Sequence, residues 1–304
     1  MTAPLGTAWV DGRPGPLAEA RVPVSDRGFL FADSVFETVR TYQQRPFLLG
    51  DHLDRLRRSA QALMLPVPPS DAELISICEQ LLAGWPREHE AALRIIVTRG
   101  DGGAGLALPE PQRPRLVVLC RPLPVLDASL YEQGVAVVLP TQARVKERSV
   151  PAHVKSGSYL ANVLALLEAR QEGGFEALLR ATDGSLSEAS TSNLFLVKDG
   201  GLVTPGVHDS ILPGITRALV IALARSEGLA VREQAVDDAA LLAADEVFLT
   251  SSIKEVLPVV AVGERAIGAG VPGPVTRSVM EWFRQQTCEL AARHTERLCE
   301  VFPE

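Results

Sequence analysis

The chain has 304 residues, 46% hydrophobic and 22% charged, which supplies a sizeable core for one or two domains and excludes disordered or collagen-like chains. With 30 basic against 37 acidic side chains the formal charge is -7 and no long basic stretch occurs, which argues against a non-specific nucleic-acid binder. No apolar run approaches the ~20 residues a bilayer requires, and Met1 to Val10 lack the charge and apolar centre of a secretion signal, so a cytoplasmic protein is expected.

In chain order, Ala8-Trp9-Val10 before Asp11-Gly12 predicts a strand entering a tight hairpin, because Asp-Gly readily adopts the positive φ such turns need. Residues 36–42 (FETVRTY) alternate apolar and polar side chains, as a half-buried strand does. Over 49–65, Leu53, Leu56, Ala60 and Leu63 recur at three- and four-residue steps, the pattern of an amphipathic helix. A second helix is expected over 70–84, capped by Ser70 with Glu73 three residues on. Residues 93–98 and 115–120 read as strands, and Pro122 and Pro124 stiffen a linker. Beyond it lie strands at 135–140, 177–179, 193–197 and 245–251, helices at 158–172 and 216–227, and one closing helix over 274–299. The expected architecture is α+β in two domains: a small N-terminal domain (1–121), a linker (122–128) and a larger C-terminal domain (129–304) whose many short strands suit a barrel-like sheet.

Cys78, Cys120, Cys288 and Cys299 form no C-x-x-C pair and have no His at zinc-ligand spacing, so reduced, mostly buried thiols and no metal site are expected. The lysines carry more information. Only Lys146, Lys155, Lys198 and Lys254 exist, so 26 of the 30 basic residues are Arg and lysine-dependent covalent chemistry has four candidates. Lys198 in VKDGG reads as a solvated turn residue, and Lys146 in RVKER as part of a solvated charged face. Lys254, beside Glu255 after a strand, is open to either reading. Lys155 lies among Val154, Gly157, Tyr159 and Leu160, where partial desolvation favours a neutral, nucleophilic amine. On spacing alone, a structural lysine is still the commoner outcome at such a position. G-x-x-x-x-G-K-[ST], G-x-S-x-G and H-E-x-x-H are absent, which removes the Walker loop, the hydrolase elbow and the zincins. Residues 100–105 (GDGGAG) match no dinucleotide fingerprint and read as a mobile loop.

Several ordered motifs resemble those of the class-IV aminotransferases, the fold-type-IV enzymes that use pyridoxal 5'-phosphate. They are DRGFLFADSVFETVR (26–40), HLDRLRRSA (52–60), VKSGSYLANVLA (154–165), EASTSNLFLV (188–197), ILPGITR (211–217) and TSSIKEVLP (250–258), and the resemblance runs over 22–262. It implies a small α/β sandwich-like domain and a larger pseudo-barrel domain with the cofactor between them. It also implies a homodimer acting on a small amino-acid-like substrate, with neither nucleic acid nor membrane as partner. Residue by residue, Lys155 matches the lysine that attaches to the cofactor and moves the substrate proton. Glu188 matches the carboxylate that keeps the pyridine nitrogen protonated; by itself it reads as a surface turn residue. Arg55 matches the phosphate-binding arginine, although beside Arg57 and Arg58 its spacing alone reads as a solvated helix face. Ile215 and Thr216 match the helix N-terminus that receives the phosphate, Ser252 a second phosphate donor, and Asn193 a support for Glu188.

The same resemblance orders the subfamilies. Phe36-Glu37-Thr38 stands where branched-chain aminotransferases show FEG, and Leu160 where they carry a tyrosine five residues after the lysine. Ala104 and Leu106 replace the Arg and His that D-amino-acid transaminases use for the substrate carboxylate. Aminodeoxychorismate lyases match better around FET and KSxxYLxN, with Thr38 in a proton-transfer role. That makes 4-amino-4-deoxychorismate lyase, releasing pyruvate and forming 4-aminobenzoate, the first expectation. Transaminases and an inactive binding relative are the alternatives. Phe36 is expected to line the substrate site, and Arg27, Arg40, Arg99 or Arg180 to meet the substrate's negative charge in place of the missing loop arginine.

Overall fold

In the computed structural model, residues 6–67, 69–102, 105–108, 112–140, 151–207 and 211–302 are described. The chain forms two units, one of Met1–Pro124, Val154–Ser158 and Thr287–Glu304, the other of Val125–His153 and Tyr159–Gln286.

The first unit is built on a six-stranded antiparallel sheet. Its elements are β1 (Thr7–Val10), β2 (Arg13–Pro16), α1 (Arg27–Phe31), β3 (Ser34–Tyr42), β4 (Arg45–Pro46), α2 (Leu49–Ala62), α3 (Asp71–Leu82), β5 (Ala91–Thr98) and β6 (Arg115–Pro122), with strand order β2-β1-β6-β5-β3-β4. The Asp11-Gly12 hairpin joins β1 and β2 as expected. Strand β3 has two unlike faces: Val35, Glu37, Val39 and Thr41 are wholly buried, while Thr38, Arg40 and Tyr42 on the other face are partly exposed. Helix α2 buries Leu49, Leu53, Leu56 and Ala60, and with them His52, Arg55 and Ser59. The anticipated cap of α3 is present, Ser70 Oγ accepting from Glu73 N while Glu73 accepts from Ser70 N at 2.7 Å.

The second unit holds α4 (Ser129–Gln133), β7 (Val135–Val138), α5 (Leu160–Gln171), β8 (Glu176–Arg180), β9 (Leu186–Ala189), β10 (Asn193–Lys198), β11 (Gly201–Thr204), α6 (Ile215–Ser226), β12 (Val231–Glu233), α7 (Asp238–Leu242), β13 (Glu246–Ser251), β14 (Glu255–Val262), β15 (Arg265–Ala266) and most of α8 (Pro274–Ala292). Its strands run β12-β11-β10-β13-β14-β7-β8-β9, with β15 on β14, in a sheet of mixed parallel and antiparallel pairs. Leu194, Leu196, Val247, Leu249, Leu257 and Val259 pack into one core cluster. The alternate positions Phe195 and Phe248 stack with ring centroids 4.8 Å apart. No helix among the described residues is long and apolar enough to cross a membrane.

Four expectations are corrected. Strand β6 continues to Pro122, which pairs with Ala91, so only the second linker proline lies outside the sheet. The closing helix stops at Ala292, and a short α9 (Leu298–Val301) follows a turn. The turn is held because Gly50 N donates to His294 O, Leu298 N to Asp51, and the Arg297 guanidinium to Asp54 and Asp71. Residues Val154–Ser158 and Thr287–Glu304 group with the first unit rather than with the C-terminal part of the chain. Of the four thiols only Cys78 and Cys120 are buried; Cys288 and Cys299, on the C-terminal segments, are exposed.

Candidate active site

Lys155 is fastened to the first unit by its backbone. Phe36 N donates to Lys155 O at 3.0 Å, Gly157 N to Ser34 O at 2.8 Å, and Lys155 N to Ser59 Oγ of α2 at 3.1 Å. The segment thus covers the edge of β3 where Val35 bridges Ser156. The side chain is half-buried, with Nζ 4.8 Å from the centre of the Phe36 ring. The Arg94 guanidinium stacks over the same ring at 3.8 Å. Arg94 stands directly across from Thr38 in the β3–β5 register, so Phe36, Thr38 and Arg94 share one face of the sheet.

Beneath Lys155 lies a buried ionic cluster. Glu37, wholly buried, accepts from Arg55 Nε at 2.8 Å and Nη2 at 2.6 Å, and pairs with His52 Nδ1 at 2.7 Å. Burial alone would raise the Glu37 carboxyl, but the Arg55 charge and hydrogen bonds, aided by His52, hold it down at about 2. Burial pushes His52 below its ordinary value against the pull of Glu37, with the charges of Arg55 and Lys155 acting in the same direction as burial. The imidazole is therefore neutral, and Arg55 is a buried, side-on partner of a carboxylate rather than part of a solvated helix face.

In the second unit, Glu188 is buried on β9 and its Oε2 accepts from Leu212 N at 2.8 Å and Asn193 Nδ2 at 3.5 Å. Asn193 also donates to Leu212 O at 2.9 Å, which ties β10 to the approach of α6. A Cβ on Gly214 would meet Asn193 Oδ1 at 1.9 Å, so only glycine permits this approach. Gly214 is also the N-cap of α6: no side chain caps the helix, and its first turn, containing the buried Ile215 and Thr216, carries no acid. The Thr250 hydroxyl, opposite Asn193 on β13, is buried and has no partner among the described residues. Ser252 follows in the half-buried turn between β13 and β14. An uncapped helix N-terminus with nearby hydroxyls suits a phosphate, and a buried carboxylate held by neutral donors suits a protonated ring nitrogen. The residues of this unit therefore fit pyridoxal 5'-phosphate. Among the described residues no group of His, Cys, Asp and Glu is placed to hold a metal.

Three arginines expected at the substrate are committed elsewhere. Asp33 joins Arg27 Nε at 3.0 Å and Arg99 Nε at 2.8 Å; Arg27 also binds the carbonyls of Gly105, Leu106 and Ala107, and Arg99 those of Leu63 and Met64. Arg180 forms a two-pronged pair with Asp238 at 2.8 Å on each arm. Each is a tie between segments of the protein. Arg40 stacks on Tyr42 at 4.1 Å. Lys198 is exposed and pairs with Asp245, whereas Lys254 is largely buried against Glu176. Lys146 and Ala104 lie outside the described residues. Sequence reasoning missed Arg94, Glu37, His52 and Thr250. A charged residue in the buried phase of β3, and a histidine three residues before Arg55 on α2, were signals available for two of them.

Residues 34–262 match the family described as amino-transferase class IV. A putative branched-chain-amino-acid aminotransferase of Methanocaldococcus jannaschii is 36% identical, the alignment covering 88% of this chain and 91% of that protein. The D-alanine aminotransferase of Bacillus licheniformis is 34% identical over 88% and 93%. Among solved structures, a T.th. branched-chain amino acid aminotransferase with pyridoxamine 5'-phosphate aligns over 97% of both chains, with a TM-score of 0.88 and 28% identity. The 4-amino-4-deoxychorismate lyase of Pseudomonas aeruginosa aligns over 91% and 98%, at 0.77 and 32%. The chain thus belongs to the class IV aminotransferases, enzymes of α+β fold-type IV that use pyridoxal 5'-phosphate.

Proposed function

We propose that this protein is an amino-acid transaminase, moving an amino group between a carboxylate-bearing amino acid and a 2-oxo acid. When bound, pyridoxal 5'-phosphate supplies an electron sink for the charge left at the substrate α-carbon. Lys155 would hold the cofactor through Nζ, and the same amine would carry the proton away from the substrate α-carbon and deliver it to the carbon of the cofactor's former aldehyde. Glu188, supported by Asn193, holds a proton on the ring nitrogen; Arg55, the N–H groups of Ile215 and Thr216, and Ser252 receive the phosphate. Arg94, in place of Arg27, Arg99 and Arg180, meets a substrate carboxylate. The observation that carries the reading is the Phe36 ring, against which both the reactive amine and the Arg94 guanidinium are placed. The near-full-length likeness to proteins named as aminotransferases supports transamination over the lyase reaction. Lyase activity is the second reading, favoured by the Thr38 hydroxyl on the Phe36 face of β3. A homodimeric working unit belongs to the same proposal, supported by the exposed Phe29 and Leu30 of α1.

The test is a donor panel of branched-chain L-amino acids, L-glutamate and D-alanine, read by cofactor absorbance without any oxo acid, then reversed with 2-oxoglutarate. A donor-dependent, reversible change is expected, lost in Lys155→Ala. Arg94→Gln should raise the donor KM by about 10- to 100-fold, the range for losing a charge-assisted hydrogen bond, with Arg99→Ala lowering stability instead. Pyruvate release from 4-amino-4-deoxychorismate, with no response to any amino acid, would overturn the reading in favour of the lyase.

A further inference from the structure

Glu176, the first residue of β8 and 1% exposed, gathers four donors. Thr191 N reaches it at 2.8 Å, Thr191 Oγ1 at 3.3 Å and Ser192 Oγ at 2.7 Å, and the Lys254 ammonium forms an ion pair with it. Lys254 Nζ also donates to Thr191 Oγ1. The rest of Lys254 is held too, its N–H donating to Ser251 Oγ and its carbonyl accepting from Tyr131. One lysine thereby joins two turns. The turn at 190–192 connects Glu188 on β9 with Asn193 on β10, and the turn at 252–254 begins with Ser252.

On the reading proposed above, the two turns would serve opposite ends of one ligand, the 190–192 turn through Glu188 and the 252–254 turn through Ser252. The β10–β13 ladder fixes the strands up to the Asn193–Thr250 pair, but the turn beyond Ser251 leaves that ladder. The β13–β14 ladder closes this turn at the Ser251–Glu255 pair, and the Lys254 side chain adds the tie that links it to the 190–192 turn. A buried ion pair with further hydrogen bonds on its carboxylate has one favourable geometry, so it suits a spacer better than exposed turn contacts do.

We propose that the Lys254–Glu176 pair is a positioning device for the cofactor phosphate, holding the Ser252 turn in register with the Glu188–Asn193 turn. This rests on the reading of Ser252 as a phosphate donor. The experiment compares pyridoxal 5'-phosphate with pyridoxal, which lacks the phosphate, by absorbance titration of the apoprotein, together with phosphorus NMR of the bound cofactor and thermal unfolding of the apoprotein. Lys254→Met should weaken the phosphorylated ligand by about tenfold, the scale of one lost charged hydrogen bond, move the phosphorus resonance, and leave pyridoxal affinity unchanged. Lys254→Arg should restore most of the loss. If the methionine variant does not fold, Lys254→Gln, which keeps a donor without the charge, should shift affinity in the same sense. Equal losses for both ligands, or no loss for either, would overturn the proposal. Ser252→Ala separates the two readings. An unchanged affinity there removes Ser252 as a phosphate donor, whereas a loss there with none in Lys254→Met removes only the clasp.

Discussion

Glu37 occupies a strand position whose neighbours in phase are Val35 and Val39, and it stays ionised there because Arg55 and His52 face it. Its folded carboxyl, near 2, lies below the ordinary 4.5, so its contribution to stability is complete above pH 4.5 and is lost as pH falls toward 2. At 1.36 kcal/mol per pKa unit that contribution is about 3 kcal/mol. Glu37→Gln should destabilise the protein by about 3–5 kcal/mol at neutral pH, because Arg55 is left buried without its counter-charge. It should also flatten the acid limb between pH 4.5 and 2. Urea unfolding across that range measures both, and an acid limb as steep as wild type would assign the titration to other carboxylates. This cluster was only half legible in the sequence. The motifs around Phe36 and His52 are conspicuous, but an arginine followed closely by two others discloses no partner, and its carboxylate lies 18 residues upstream in another element.

Among the elements, α2, α3 and α6 were readable because a buried apolar face repeats at three- and four-residue steps over a dozen residues. Strands β9, β11 and β12, with three or four residues each, are too short for a two-residue period to stand out, and β14 is interrupted by Pro258. For that reason Glu188, buried on β9, reads as a surface turn residue until the motif around it is recognised. The tail on α2 was also out of reach, since its ties depend on which acids of α2 it meets. One of these is Asp51, whose carboxyl burial pushes up to about 6, opposed by its bond from Leu298 N. The folded state holds that proton more tightly than the unfolded chain does. Its stabilising effect therefore grows as pH falls from 6 toward 3.8 and is absent above 6. The difference between wild-type and Asp51→Asn stability, from denaturant unfolding at half-unit pH steps, should show that slope. A difference independent of pH would refute it.

For the whole molecule, composition and the proline-rich stretch suggest two units divided in chain order, whereas two pieces of the chain group with the unit that chain order denies them. Local pattern cannot report that 154–158 lies along β3, or that residues 294–298 return to α2, because those pairings span more than a hundred positions. The expectation for residues 1–124 made alone follows directly. They should be poorly soluble or molten by near-UV circular dichroism, since the β3 edge at Ser34–Phe36 and the start of α2 lose their cover. A well-folded fragment with native-like spectra would contradict that assembly.

The discontinuous first unit also has a consequence for biosynthesis. A ribosome finishes Pro124 long before it reaches Thr287, and at bacterial-like elongation rates the interval is roughly 10–30 s. Residues Val154–Ser158, which carry the lysine on which the chemistry depends, emerge early in that interval and seal the β3 edge, whereas the start of α2 stays uncovered until the segment from Thr287 follows. Assembly of the reactive amine's surroundings in this unit thus precedes completion of the unit by the time taken to synthesise residues 159–286.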